Sequence, residues 1–299
     1  MKGYSKGYKI FTVFNTLFMI LIAVVMLFPY LNILATAFNE GADAARGGIT
    51  IFPREFTLEN FKVILSGKAF KQALGISVAR VIVGVLLGLM VQFSCAYALT
   101  RQDFWGKNFI TRLFAVVMFF HAGMIPTYVL YSEIGILNSF WVYILPGLFS
   151  FYNIVIIRTF MQSTIPISLE ESALIDGANE IIIFFKIILP LSKPILATMA
   201  LWIMVTHWND WTTTLYYIRK SNLFTLQYIM MQVVKESERT QKMMAAALES
   251  GLQIENVQQT TTEVITAAQV VVTTIPIICV YPFLQKYFVK GIMLGSVKG

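Results

Sequence analysis

Charge is scarce in this sequence. Asp, Glu, Lys and Arg make up only 13% of its 299 residues, about half of the roughly 25% usual in soluble domains. A chain this poor in charge cannot clothe a water-facing surface, which excludes an ordinary soluble enzyme. Cysteine is nearly missing as well. Cys95 and Cys279 each sit inside an apolar stretch, so neither a disulfide scaffold nor a thiolate metal site can be built from them. There is no GxxxxGK[ST] phosphate loop: Gly67-Lys68 comes nearest, and it lacks the upstream glycine that wraps backbone amides around a phosphate. Any ATP that drives this protein is bound by a partner, and the chain itself is expected to carry no cofactor. Neither a short repeat nor the inverted duplication common in secondary transporters is visible. The net charge of +7 does not indicate nucleic acid, because the basic residues are scattered over short segments between apolar blocks, where anionic lipid would meet them.

What is abundant is apolar. The hydrophobic class reaches 57% and is gathered into long blocks of the length needed to cross a bilayer as a helix. The blocks lie near 11–38, 72–99, 109–131, 139–160, 191–218 and 265–285, and they predict an all-α integral membrane protein of six spans. The first block follows Lys2, Lys6 and Lys9 in the manner of a signal peptide. It is too long for one, and Ala35-Thr36-Ala37 is a poor cleavage context, so it reads as a retained span. Six spans place both ends on one side. The N-terminus (1–10) and the tail (291–299) are short and basic, whereas the loops at 39–71 and 219–264 balance acids against bases. The positive-inside rule then sets both termini in the cytoplasm, the two long loops outside and the segment 161–190 inside, within one transmembrane domain over 11–290.

The inside segment 161–190 carries the clearest local pattern. Ser168 followed three residues later by Glu171 has the form of a capping box, predicting a helix from Leu169 to about Asp176. Gly177 can close that helix in the left-handed conformation, and Asn179 can cap a second helix running to Pro190. The product is a helix–turn–helix elbow. Its first arm offers acids at Glu170, Glu171 and Asp176 and small residues at Ser172, Ala173 and Ala178, which suits insertion into another protein's groove. An amphipathic helix lying on the membrane is the alternative, though its acids would be repelled by anionic lipid.

In the fifth block, His207, Trp208, Asn209, Asp210 and Trp211 interrupt an otherwise apolar run. Polar residues inside a span face a bundle interior or an aqueous cavity. Amides and carboxylates bind hydroxyls while aromatic rings stack on the C–H face of a sugar, so these residues fit a sugar path, joined by Tyr128, Asn153 and other tyrosines. They equally fit a helix break that only bridges backbone, and aromatic residues also collect at membrane interfaces. His207 and Asp210 share a helical face, which leaves open a proton relay and hence an ion-coupled transporter or channel. His121 is too distant in sequence to complete a metal site with them. Arg80 in the second block either snorkels outward or faces the cavity.

Several of these motifs, in this order, are those of one family. Glu171-Ser172-Ala173 with Asp176-Gly177-Ala178 and Ile188-Leu189-Pro190 resembles the EAA loop of ABC-importer permeases, with serine in place of the middle alanine. Phe52-Pro53, Phe56-Thr57-Leu58-Glu59-Asn60, Ala96-Tyr97-Ala98-Leu99-Thr100-Arg101, Trp208-Asn209-Asp210-Trp211 and the tail Gln285 to Gly299 extend the likeness to carbohydrate-uptake permeases. Gly123-Met124-Ile125-Pro126-Thr127-Tyr128 is similar to the oligosaccharide branch, which includes importers of plant-polysaccharide fragments. The resemblance implies the six-span type I importer permease fold and residence in the cell's inner or cytoplasmic membrane. It also implies a second permease subunit, two ATPase subunits docked on the elbows, and an extracellular sugar-binding lipoprotein or periplasmic binding protein. The chain would do no covalent chemistry of its own.

Overall fold

The computed structural model describes residues 6–44, 46–120, 122–249, 263–279 and 282, and these are helical apart from connecting turns and one isolated bridge between Asn39 and Phe56. The expectations placed on residues 1–5, His121, the loop stretch 250–262 and the tail motifs of 285–299 lie outside the described residues. The principal helices are α1 (Lys6–Ala37), α2 (Glu59–Ser66), α3 (Lys68–Ala98), α4 (Lys107–Val117), α5 (Met124–Glu133), α6 (Phe151–Thr164), α7 (Ile167–Ile175), α8 (Glu180–Leu191), α9 (Lys193–Asn209), α10 (Thr212–Tyr217), α11 (Leu226–Glu249) and α12 (Glu263–Cys279). They fall into two compact units, divided after Phe70, Ile229 and Ile275.

Six unbroken spans are not what these helices form. Among the described residues two helices, Gly7–Ala37 and Lys68–Ala98, are long and apolar enough to cross a membrane unbroken, and two bent pairs raise the number to four. The third block is split, because α4 ends at Val117 and Gly123, at φ 86°, opens α5; that left-handed conformation is cheap only for glycine. At Ser192, where the inside segment 161–190 gives way to the fifth block, α8 and α9 meet at 82°. Pro190 and Pro194 flank that bend, and a proline there removes an amide donor and crowds the preceding turn. The fifth block itself is broken after Asn209, where Asp210 is extended. The loop read over 219–264 contains α11, whose charges hid it from a search for apolar blocks.

In the first unit, the motif after Phe52 closes the end of α1. Asn60 donates to the carbonyls of Ala37 and Asn39, both at 2.9 Å, and Asn39 accepts from the amides of Arg54 and Glu55 at 2.8 and 3.0 Å. Asp43 takes hydrogen bonds from Asn39 and Arg54, each at 2.9 Å. The Asn39 bond first, and then Arg54, hold its carboxyl below the usual carboxylate range against the cost of burial.

The second unit is built around α3, α6, α8 and α9. Phe93 and Ala96, Ile154 and Ile157, Ile183 and Ile188, and Met199 are all but fully buried together. The three-residue spacing in α3 and α6, and the five-residue spacing across the π-turn Phe184–Ile188 of α8, put these side chains on one face of each helix. This packing fixes the elbow at one end of α3 and a polar cavity along its length.

Candidate functional site

The elbow forms, with a different start from the one its sequence suggests. Helix α7 begins at Ile167, directly after Pro166, and no side chain caps it. Pro166, at φ −64°, already has the dihedral that leads into a helix, so Ser168 falls inside the first turn and the Ser168–Glu171 capping box is not made. The far end is as read. Gly177 lies at φ 81°, its amide donates to Leu174 O at 3.0 Å, and that of Ala178 donates to Ala173 O at 2.9 Å. Those two bonds complete a Schellman motif. The Asn179 side chain then accepts from the Ile182 amide at 2.9 Å and opens α8, which relaxes into a π-turn over Phe184–Ile188.

Arg101, just past the end of α3, ties both arms of this elbow together. Its guanidinium pairs with Glu170 on α7 and donates to Glu180 on α8 at 2.6 Å. Tyr97 donates to the other oxygen of Glu180 at 2.5 Å, and Lys107 donates to the Arg101 carbonyl at 2.7 Å. Burial opposes the charge of Arg101, yet Tyr97, Glu180 and Glu170 outweigh it and hold its pKa above the usual range. Sequence reasoning missed this role. Arg101 had entered only as one letter of a motif, and a partner 69 residues away leaves no local trace. Of the residues expected at the elbow, Glu170 is turned to Arg101, and Ala173 and Ala178 pack on the core. Glu171, Ser172, Asp176 and Gly177 remain exposed on the outer side.

The second candidate site is a cavity of about 940 Å³ bordered by α3, α6, α9 and α10. Asp210 and Asn153 line it. Trp208 does not: it is buried beside Val78, Ile82 and Met204 in a small apolar pocket. Asn209, Trp211 and Tyr128 are also absent from the lining, although Tyr128 stacks on Tyr217, which is part of it.

Asp210 sits at the break between α9 and α10 and is fully occupied. One oxygen accepts from the Thr212 hydroxyl at 2.6 Å and the Thr213 amide at 3.1 Å; the other accepts from Thr213 Oγ1 at 2.5 Å and pairs with Arg80. Arg80 also donates to the Asp210 carbonyl at 2.9 Å and lies over the Tyr143 ring at 4.6 Å. Arg80 therefore faces inward, and Asp210 closes a helix break. With its oxygens engaged in this way, Asp210 has none to share with His207, and the geometry gives a proton relay no support. His207 is wedged against α3 instead: a Cβ built at Gly84 would collide with its imidazole, and one at Gly88 would meet Ile203 at 3.5 Å. The Gly84–Gly88 pair is thus the seat on which α9 packs.

Residues 81–294 match the family described as "Binding-protein-dependent transport system inner membrane component". The chain is similar to Protein LplC of Bacillus subtilis (strain 168), at 38% identity over 99% of this chain and 97% of that one. It is also similar to the polygalacturonan/rhamnogalacturonan transport system permease protein YtcP of the same organism, at 36% identity over 94% and 96%. Among solved structures, a chain of a bacterial ABC transporter involved in the import of the acidic polysaccharide alginate superposes with a TM-score of 0.83. The match is 28% identical and covers 96% of this chain and all of that one.

Proposed function

Because this chain belongs to the binding-protein-dependent inner membrane components, as a permease of carbohydrate ABC importers, we propose that it forms one half of an oligosaccharide path and receives the work of an ATPase subunit through its elbow. The substrate class follows the relatives, among which are a polygalacturonan/rhamnogalacturonan permease and an arabinooligosaccharide permease; an oligosaccharide released from a plant polysaccharide fits both. The chain crosses the cytoplasmic or inner membrane six times, the broken blocks serving as bent spans, with both termini in the cytoplasm. It pairs with a second permease and with two ATPase subunits, which supply the ATP site. An extracellular sugar-binding lipoprotein or periplasmic binding protein delivers the sugar. Transport proceeds by alternating access, as rigid helix groups rock when the ATPases close.

The observation that supports coupling is the double tie of Arg101. A push on the exposed side of the elbow, at Glu171 and Ser172 of α7 and Asp176 and Gly177 of the turn, meets an arm already bonded to α8 and to the end of α3. Arg101→Ala removes hydrogen bonds between charged groups, each worth about 2 kcal/mol. In a reconstituted complex it is expected to lower the ATPase stimulation by sugar-loaded binding protein about tenfold, while insertion and sugar delivery persist. Wild-type stimulation in that variant would sink the elbow as the coupling element.

The topology has its own check. Single cysteines in place of Ser5 and Ser296 are expected to react with an impermeant maleimide only from the cytoplasmic side, and those in place of Gly47 and Ser250 only from outside. Labelling at Ser5 and Gly47 from one side would overturn the six-span reading.

A further inference from the structure

We infer that this subunit carries its own sugar subsite, formed by Trp202 and Tyr152 with the amides of Asn153 and Gln92, and that it takes an uncharged pyranose residue of the oligosaccharide. The inference rests on the transport reading above and adds a ligand class to one wall of the path.

Four observations on the same cavity carry it. Trp202 and Tyr152 meet edge to face, with ring centroids 6.0 Å apart, and both stay about half exposed, at 47% and 54%. Two large rings left open in a cavity wall form a corner on which the C–H face of a sugar can stack. Beside them the amides are oriented: Gln92 donates to the Leu148 carbonyl at 3.2 Å, and Asn153 donates to Gln92 Oε1 at 3.0 Å. That relay leaves Asn153 Oδ1 as an acceptor for a hydroxyl. Next, the wall contains two deeply buried polar groups with an atom that finds no protein partner, Arg80 Nε and His207 Nδ1, whose residues are 3% and 8% exposed. Buried polar atoms of this kind are satisfied by water or ligand. Finally, the charges cancel. Among the described lining residues Arg80 is the cationic side chain and Asp210 the anionic one, and they are bonded to each other. A uronate carboxylate entering here would find no free positive charge among the described lining residues to offset its desolvation, whereas a neutral ring gains stacking and hydroxyl contacts. The volume, about 940 Å³, lies within the range of small-molecule sites.

The test uses the complete transporter in proteoliposomes with two labelled probes of equal length, a neutral hexose oligosaccharide and an oligouronate. Sugar carried per ATP hydrolysed is measured for wild type, Trp202→Ala, Trp202→Phe and Asn153→Ala. Wild type is expected to favour the neutral probe. Trp202→Ala and Asn153→Ala should each reduce its transport per ATP about tenfold while keeping stimulated ATPase within about twofold of wild type. Trp202→Phe, which retains a ring for stacking, should recover most of the loss. Undiminished neutral-sugar transport in both alanine variants, or a wild-type preference for the uronate, would overturn the subsite and leave the transport reading standing. Wild-type vesicles that carry neither probe would overturn both.

Discussion

Gly177→Val is expected to abolish coupled transport while the protein still inserts and assembles. Gly177 lies at φ 81°, and no atom stands within 4 Å of where its Cβ would be. The damage therefore comes from the backbone alone. A left-handed conformation costs an ordinary L-residue about 1–2 kcal/mol, and a β-branched one is a genuine outlier there. The turn would open, the bonds from Gly177 to Leu174 and from Ala178 to Ala173 would be lost, and α7 would no longer be aimed by α8. Asparagine tolerates this region, so Gly177→Asn should keep most of the activity. The measurement is binding-protein-stimulated ATPase and sugar uptake in vesicles, beside a crosslink from Ser172→Cys, on the exposed side of the elbow, to the ATPase subunit. Equal activity in the valine and asparagine variants would remove the left-handed turn from the coupling argument.

The second large effect is expected at the ion pair inside the membrane domain. Arg80→Ala leaves Asp210 without its cation in a site where the two side chains are only 4% and 18% exposed. Breaking a buried pair on one side costs about 3–5 kcal/mol, a large part of a domain's net stability. Purified yield and thermal midpoint should both fall sharply. Adding Asp210→Asn to Arg80→Ala should recover much of the loss, because the oxygen of a neutral amide can still accept from the Thr212 hydroxyl and the Thr213 amide, while its NH2 donates to Thr213 Oγ1 where the second carboxylate oxygen now accepts. Such non-additivity is the mark of direct coupling. A double variant no more stable than Arg80→Ala would show that the pair does not hold the α9–α10 break.

Composition and block length decided that this is a helical membrane protein: apolar blocks cannot dissolve, and continuous runs of about 20 residues have the length of a helix across lipid, about twice that of a strand. Local chemistry decided the elbow's turn as well, since Gly177 and Asn179 act on amides within a few residues of themselves. Its start was misread for a related reason. Ser168 and Glu171 have the right spacing, but Pro166 begins the helix sooner, and spacing does not say which of two competing starts wins.

The third and fifth blocks look continuous because hydropathy is blind to backbone angles; the third is broken ahead of Gly123 and the fifth after Asn209, where Asp210 is extended. What only the tertiary structure decided is who meets whom across the chain. Arg101 finds Glu170 and Glu180, Arg80 finds an Asp210 that is 130 residues away, Gly84 receives His207, and Trp208 turns from the cavity while Trp202 and Asn153 line it. Side-chain identity states what each group can bond to. Its partner is chosen by the angles at which helices cross and break, and those are set by packing summed over the whole unit.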